Sequence, residues 1–322
     1  MVYSKFWGRQ QKRLVALSLA ASGSFVLGIM MPGQNRMSQL PISTVSSVSS
    51  IDVATATQSP ETQSSQLPDQ PSPKIQQMFS LRDHLGGIKS VMALQVEDAK
   101  KTVEQLEENR FTIPIPQRFQ GKIIAQDQLK IDEKIVALTF DDGPWSETTE
   151  QILEILQKNQ IKATFFVVGQ HLKAFPEIGK KIVLDGHVIA NHSWAHPTRN
   201  MSRERAQNEI ENTAKLVEEL TGINTNLFRP PGGVLTNGLT QYAQEKNYAT
   251  IMWSADSMDW RASESAIIQN VLRQVKPGAI VLFHDGGGNR AKTVKALPKI
   301  ISKLQEENYQ FVTVPELLQH LD

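Results

Sequence analysis

Two adjacent carboxylates are the first residues in this sequence that suggest chemistry. Asp141 and Asp142 follow the apolar run 135–140 directly and precede Gly143-Pro144. Unpaired carboxylates are costly in an apolar interior. The motif therefore indicates either a turn with solvated acids, which Asp-Gly and Gly-Pro favour, or a functional site at the end of a strand.

A pair of histidines, His192 and His196, is the second such feature. Residues four apart share a face on a helical turn, so both imidazoles could bind one ion, although two surface histidines are the more common explanation of such a pair taken alone. Two neutral imidazoles and one carboxylate leave an open position on a divalent ion. That ligand set is typical of hydrolytic sites, where bound water becomes acidic near neutral pH.

Composition narrows the chemistry that the chain can perform. It has 322 residues, a formal net charge of +1 and no cysteine. Disulfides and thiolate metal sites are therefore excluded, and any metal must be held by His, Asp or Glu. The near-neutral charge gives no electrostatic argument for nucleic acid as a partner, and none is expected.

Apolar segments alternate with helical patterns from residue 135 onward, which predicts an α/β fold with a parallel sheet. The number of units favours a distorted (β/α) barrel of about seven strands. The predicted strands are 135–140, 163–168, 188–190, 227–228, 249–253, 279–283 and 311–314. The predicted helices are 149–158, 177–184, 203–220, 263–274 and 293–307.

Polar residues of catalytic type stand at the carboxyl end of these predicted strands. They are Asp141, Asp142, His192, Arg229, Asp256 and His284. In a barrel this rim is where active sites lie, so we expect the six side chains to converge.

The N-terminal residues 1–31 carry the features of a signal anchor or signal peptide. Four basic residues precede an apolar run over 14–31, as expected of a segment that enters a membrane with its N-terminus in the cytoplasm. The bulky residues Ile29, Met30 and Met31 favour an uncleaved anchor. This predicts a single-pass, bacterial-type envelope protein with its catalytic domain outside the cytoplasm, or an exported one.

Three further segments follow this N-terminal one. Residues 32–77 are rich in Ser, Gln and Pro and predict a disordered tether. Residues 78–132 form a helical and extended lead-in segment, whose apolar positions between Ile88 and Leu106 recur every three or four residues and predict an amphipathic helix. Residues 133–322 are the predicted catalytic domain.

Five ordered motifs make the chain similar to a known family. Thr139-Phe140-Asp141-Asp142-Gly143 and His192-Ser193-x-x-His196 resemble the first two motifs of the polysaccharide deacetylase family, the NodB-homology group or carbohydrate esterase family four. The third, fourth and fifth motifs are matched by Arg229-Pro230-Pro231-Gly232, Asp256-Ser257-Met258-Asp259-Trp260 and Leu282-Phe283-His284. The resemblance covers residues 135–318.

The resemblance implies a role for each matched residue. Asp142, His192 and His196 would bind the metal, with Zn²⁺ favoured and Co²⁺, Ni²⁺ or Fe²⁺ also suited to such ligands. Asp141 would be the general base, held and kept ionised by Arg229. His284 would be the general acid, with Asp256 paired to it and raising its pKa.

The same resemblance implies the reaction and two substrate contacts. The enzyme would remove N-acetyl groups from an N-acetylglucosamine-containing cell-envelope or exported polysaccharide and release acetate. Trp260 would line the sugar groove. Gly232 stands where the family often has Tyr; it would keep a backbone N–H for the oxyanion and widen the groove. Peptidoglycan, chitin-like oligomers, exopolysaccharides and xylan are all substrates of the family.

Other functions are possible on the residues alone. A glycosidase needs two carboxyl groups on opposite sides of the scissile bond, roughly 5–9 Å apart, and adjacent acids are badly placed for that. An O-acetyl-polysaccharide esterase of the xylan type is an alternative. A catalytically silent glycan-binding module or a structural envelope protein would leave the complete set of motifs unexplained.

Overall fold

The computed structural model of the chain describes residues 111–125 and 131–321. The predicted membrane segment, the tether and the amphipathic helix lie outside these residues. Among the helices that the structure describes, none is long and apolar enough to cross a membrane.

A parallel sheet is the centre of the fold, and its middle strands are buried on both faces. All seven residues of β3 are buried, as expected of a parallel strand that is covered on both faces. The strands are β1 (Phe111–Thr112), β2 (Ile123–Ile124), β3 (Ile135–Asp141), β4 (Thr164–Val167), β5 (Val188–Asn191), β6 (Ile223–Asn224), β7 (Leu227–Phe228), β8 (Ala249–Ile251), β9 (Ala255–Asp256), β10 (Ala279–His284) and β11 (Gln310–Val312).

Nine of these strands form one sheet in the order β2-β8-β7-β5-β4-β3-β10-β9, with β11 beside the first half of β3. Every pairing in it is parallel. Within residues 111–125 and 131–321, the end strands β2 and β9 do not pair with each other. The α/β fold is therefore a parallel-strand half-barrel, consistent with a (β/α) barrel.

All seven predicted strands are present, each with ends close to those expected. The large sheet has two more strands than predicted, β2 and β9, and a separate parallel ladder joins β1 to β6. Each of these four strands has two residues, as β7 also does, and a segment of that length shows no periodic pattern from which it could be predicted reliably.

Helices cover the sheet between the strands. They are α1 (Thr148–Lys158), α2 (Gly169–Ala174), α3 (Pro176–Leu184), α4 (Arg203–Thr221), α5 (Leu239–Glu245), α6 (Glu264–Gln274), α7 (Ala291–Glu306) and α8 (Val314–Gln319). The assignment of Val314 to the last strand is wrong. Thr313 and Glu316 form a reciprocal capping box, which starts α8 at Val314.

Three stacked phenylalanines fix the central strands beside the rim. The Phe140 ring lies 5.0 Å from the ring of Phe165 on β4 and 5.6 Å from that of Phe283 on β10. In the β3–β10 ladder Phe140 pairs with Phe283, and the next pair is Asp141 with His284. This packing therefore sets the register that brings the two polar residues side by side.

Part of the predicted lead-in segment is built into this sheet. β2 pairs with β8 and forms one end of the sheet. Ile113, Ile115, Phe119 and Ile124 are all buried in the main core. Residues 111–125 therefore belong to the same packed unit as the residues that follow.

We expect Ile124→Ala to lower the free energy of unfolding by about 2–5 kcal/mol, as large-to-small changes in a core do. Ile124 is fully buried, whereas its neighbour Ile123 is half-buried on the same strand. Ile123→Ala is thus the matched control, and its cost should be clearly smaller in urea unfolding. Equal, small losses for both variants would show that β2 adds little to the fold.

Candidate active site

The turn after β3 carries the two adjacent acids in different environments. Asp141, the last residue of β3, is almost fully buried, and Asp142 is half-buried. Asp142 has a φ of 73°, in the left-handed region that side chains other than glycine rarely adopt. Such a conformation persists where the surrounding structure holds it, and it is concentrated at functional sites.

Arg229, the residue after β7, is fully buried and forms an ion pair with Asp141. Its Nη1 donates to Asp141 Oδ1 and to Thr139 Oγ1, both at 2.8 Å. Its Nε donates to the Ile251 carbonyl at 3.0 Å, and its guanidinium lies 4.1 Å from the centre of the Phe166 ring. The predicted contact between Arg229 and Asp141 is present.

Burial and the arginine act in opposite directions on Asp141. Burial raises the pKa of the Asp141 carboxyl, while the charge and hydrogen bond of Arg229 oppose that rise. The net shift is upward. A carboxyl group with a raised pKa is better suited to accept a proton at neutral pH than an ordinary aspartate.

The three predicted metal ligands converge on one point. Asp142, His192 and His196 each offer a ligand atom, and these atoms lie within 4.8 Å of one another. Asp142 Oδ1 is 3.6 Å from His192 Nε2 and 3.3 Å from His196 Nε2. The geometry thus brings together two imidazole nitrogens and one carboxylate oxygen.

Several features of this cluster fit a divalent cation. Asp142 Oδ1 is buried without a hydrogen-bond partner among the described residues. The other oxygen, Oδ2, is backed by Gly287, where a Cβ would lie 2.6 Å away. His192 Nδ1 hydrogen-bonds to the Arg229 carbonyl at 2.7 Å, so it carries the proton and leaves Nε2 free as a ligand. Burial lowers the pKa of His192 to about 3, which keeps that imidazole neutral.

The histidine pair does not lie on a helical turn, and that expectation is wrong. Residues 192–200 form an irregular loop in which Ser193 and His196 both have positive φ. The buried carboxylate of Glu209, on α4, accepts hydrogen bonds from the backbone N–H groups of Trp194 and Ala195 at 3.0 and 2.8 Å. The loop therefore folds around Glu209, which sequence reasoning missed.

The predicted partner of His284 requires a correction. His284 Nδ1 hydrogen-bonds to Asp259 Oδ1 at 2.7 Å, and the His284 backbone N–H donates to Asp259 Oδ2 at 2.9 Å. Asp256, the predicted partner, instead accepts the Met258 N–H at 2.8 Å within its own turn. β9 ends at Asp256, and the turn that follows carries the carboxylate of Asp259, three residues later, to His284.

Asp259 changes the proton affinity of this histidine. Burial acts to lower the pKa of His284, but the hydrogen bond and charge of Asp259, together with the charges of Asp141 and Asp142, outweigh it. The pKa of His284 is therefore raised. Thr293 Oγ1 also donates to Asp259 Oδ2 at 2.8 Å and fixes the carboxylate.

The two predicted substrate residues, Trp260 and Gly232, lie at the surface and are close in sequence to Asp259 and Arg229. Trp260 follows Asp259, is 54% exposed, and has the Arg261 guanidinium 4.8 Å from its ring centre. Gly232 lies in the single 3₁₀ turn Pro231–Gly233 with a φ of 60°. Their roles toward a sugar stay predictions.

A fourth histidine, His171, contacts the turn that carries Asp142 and was missed from the sequence. Its Nδ1 hydrogen-bonds to the Asp142 backbone carbonyl at 2.6 Å, and its ring packs edge-on against Trp145. His171 lies on the six-residue helix α2. Nothing in its local sequence distinguishes it from a surface histidine.

Comparison with known proteins agrees with this geometry. The polysaccharide deacetylase model matches residues 128–251. A peptidoglycan-N-acetylglucosamine deacetylase of Bacillus cereus is 40% identical over 193 residues, which cover 59% of this chain and 90% of that protein.

Solved structures show the same fold. The Bc1960 peptidoglycan N-acetylglucosamine deacetylase, in complex with 4-naphthalen-1-yl-N-oxidanyl-benzamide, superposes with a TM-score of 0.59 at 35% identity, over 63% of this chain and 94% of that one. BA3943 of Bacillus anthracis, a CE4 family pseudoenzyme, gives 0.54 at 34% identity, over 58% and 66%. With the motifs, the fold and a relative matched over nearly its whole length, this chain belongs to the polysaccharide deacetylase family.

Proposed function

We propose that the protein is a metal-dependent deacetylase that removes N-acetyl groups from N-acetylglucosamine units of cell-wall peptidoglycan. The observation that carries this proposal is the joint placement of three groups at one sheet edge. These are the Asp142–His192–His196 cluster, Asp141 paired with Arg229, and His284 paired with Asp259. Each group has a distinct part in amide hydrolysis.

Asp141 is the general base of the proposed reaction. It takes a proton from the attacking water, which then adds to the acetyl carbonyl carbon. Arg229 fixes one carboxylate oxygen at 2.8 Å and leaves Oδ2, which lies 3.7 Å from His192 Nε2, facing the cluster. The proton is therefore accepted beside the proposed ligands.

Asp142, His192 and His196 would hold the cation. Zinc is the best match to two imidazoles and one carboxylate, with cobalt, nickel and iron as alternatives. When bound, the ion would supply Lewis acidity to the water and to the acetyl carbonyl oxygen. The Arg229 carbonyl keeps His192 in the tautomer that such binding requires.

His284 is the general acid. Asp259 accepts the Nδ1 proton, so Nε2 is the position from which His284 protonates the departing sugar nitrogen. The C–N bond then breaks, acetate leaves, and a free amine remains on the sugar. The raised pKa of His284 keeps the imidazolium populated near neutral pH.

Peptidoglycan is proposed as substrate because the Bacillus cereus relative, matched over nine-tenths of its length, is named for this activity. The predicted membrane segment at residues 1–31 agrees with an envelope location, and we propose that it anchors the domain outside the cytoplasm. A silent glycan-binding module is the second candidate, since the family includes a pseudoenzyme. The complete set of base, acid and proposed ligands argues against it.

Acetate release from defined glycans tests the proposal directly. The panel should contain N-acetylglucosamine and N-acetylmuramic acid peptidoglycan fragments, chitin oligomers and O-acetylated xylan, each with and without a chelator. We expect acetate release from the N-acetylglucosamine peptidoglycan fragments, and we expect the chelator to abolish it. Acetate release from xylan alone would show that the protein is an O-acetyl esterase and not an N-deacetylase. If the metal-loaded protein releases acetate from no glycan, the silent glycan-binding module becomes the better proposal.

Substitution of the two adjacent acids should separate their roles. Asp141→Asn should retain the metal but lower kcat by about 10²–10⁴, because the proton acceptor is gone. Asp142→Asn should weaken metal binding, since an amide oxygen is a poorer ligand than a carboxylate, and excess metal should restore part of the rate. Metal content and acetate release over a metal titration measure both. Rescue of Asp141→Asn but not of Asp142→Asn would reverse the assignment.

The partner of His284 should set the alkaline limb of the pH–rate profile. Activity requires protonated His284 and falls as the pH rises through its pKa, which Asp259 raises. Asp259→Asn removes that negative charge, so the limb should move to lower pH in a profile of kcat/KM. Asp256→Asn is the control, because the Asp256 carboxylate accepts the Met258 N–H in its own turn rather than a proton of His284, and it should leave the limb in place. A shift with Asp256→Asn instead would restore the pairing expected from the sequence.

A further inference from the structure

Asp285, the residue after His284, is a buried carboxylate without a part in the reaction above. It is 1% exposed. Its Oδ1 accepts the Gly143 N–H at 3.0 Å, and its own N–H donates to the Asp141 carbonyl at 3.0 Å. Asp285 thus holds the chain on both sides of Asp142.

The second carboxylate oxygen of Asp285 extends this contact to the start of α1. Asp285 Oδ2 accepts the hydroxyl proton of Thr149 at 2.7 Å. Thr149 Oγ1 in turn accepts the Trp145 N–H at 2.7 Å, so its single proton is committed to Asp285. The whole segment from Asp141 to Thr149 is therefore tied to the end of β10.

The fit between Asp285 and this segment leaves no free space. A Cβ on Gly143 would lie 2.1 Å from Asp285 Oδ2, so the carboxylate occupies the volume that a side chain at this position would need. Any residue other than glycine at position 143 would displace Asp285 or the turn.

The conformation that these contacts hold is a strained one. A side chain in a sparsely populated φ region is strained and persists only if its surroundings determine it. Asp142 is such a residue, and its carboxylate must face two imidazoles. On this basis we propose that Asp285 is a positioning residue, which holds Asp142 in its ligating geometry and Asp141 in register with His284. The inference rests on the proposed metal-dependent function.

A purely structural role for Asp285 makes a different prediction. Burying a carboxylate against a neutral N–H and a hydroxyl is costly, so fold stability alone gives little reason for it. A structural residue would affect the fraction of folded protein but not the affinity or rate of the molecules that remain folded. Substitution of a positioning residue changes the metal affinity and the rate of the folded protein itself.

The experiment compares full-length wild type with Asp285→Asn, Thr149→Val and Thr149→Ser. Zn²⁺ affinity is measured by competition with a chromophoric chelator, alongside kcat, KM and the unfolding midpoint. In Asp285→Asn the amide NH₂ faces Thr149 Oγ1, whose proton then loses its acceptor. We expect Zn²⁺ affinity about 10-fold weaker or more, as for other residues that support a metal ligand, and a lower kcat at little-changed KM.

The two threonine variants are a matched pair. Thr149→Val removes the hydroxyl at nearly constant volume and should weaken Zn²⁺ binding in the same direction. Thr149→Ser keeps the hydroxyl and should restore affinity toward the wild-type value. If Asp285→Asn does not fold, the two threonine variants still test the inference. Equal Zn²⁺ affinity of the Val and Ser variants would overturn it.

The remaining outcomes distinguish the inference from the proposed function. Folded Asp285→Asn with wild-type Zn²⁺ affinity and kcat would overturn the positioning role while the metal-dependent function stands. A lower unfolding midpoint with unchanged affinity would do the same and leave a structural role. A wild-type protein that binds none of Zn²⁺, Co²⁺, Ni²⁺ and Fe²⁺ would remove the proposed function and the inference together.

Discussion

The buried ion pair between Arg229 and Asp141 is the constraint on which the site depends. The guanidinium is fully enclosed, and its hydrogen bonds reach Asp141 and Thr139 on β3 and the end of β8. The same residue orients His192 through its carbonyl. Removal of one partner from a buried pair costs about 3–5 kcal/mol, because the other charge is left uncompensated. The buried ion pair and the orientation of a proposed ligand therefore both depend on one residue, the first through its side chain and the second through its backbone carbonyl.

In a second pair, His284 with Asp259, burial and a charged partner also act on a pKa in opposite directions, but with the signs reversed. At Asp141 burial raises the pKa of an acid and a cation limits the rise, whereas at His284 a carboxylate raises the pKa of a base against burial. The two groups sit on neighbouring strand ends, paired in the β3–β10 ladder. Groups with different protonation preferences are thereby placed side by side, as acid–base catalysis requires.

Much of this arrangement is predictable from the sequence, because parallel strands have a simple signature. Long apolar runs marked the buried strands, and the carboxyl ends of parallel strands share one sheet edge, so the convergence of Asp141, His192, Arg229 and His284 followed. The partner of His284 did not follow, since a turn rather than a strand carries Asp259. The prediction of a helical turn at His192 and His196 is wrong, because the shape of that loop depends on Glu209, which lies on the following helix. Of the five two-residue strands that the structure describes, only β7 is predicted, because segments this short leave little periodic pattern.

Those short strands have a consequence for how the molecule behaves at high local concentration. The two ends of the main strand path, β2 and β9, are each two residues long. An exposed sheet edge presents unpaired N–H and C=O groups that can recruit a strand from another copy, and a longer edge is a better template. Edges this short offer few backbone groups to a second copy. An open sheet ending in this way resists edge-to-edge aggregation without closing into a full barrel.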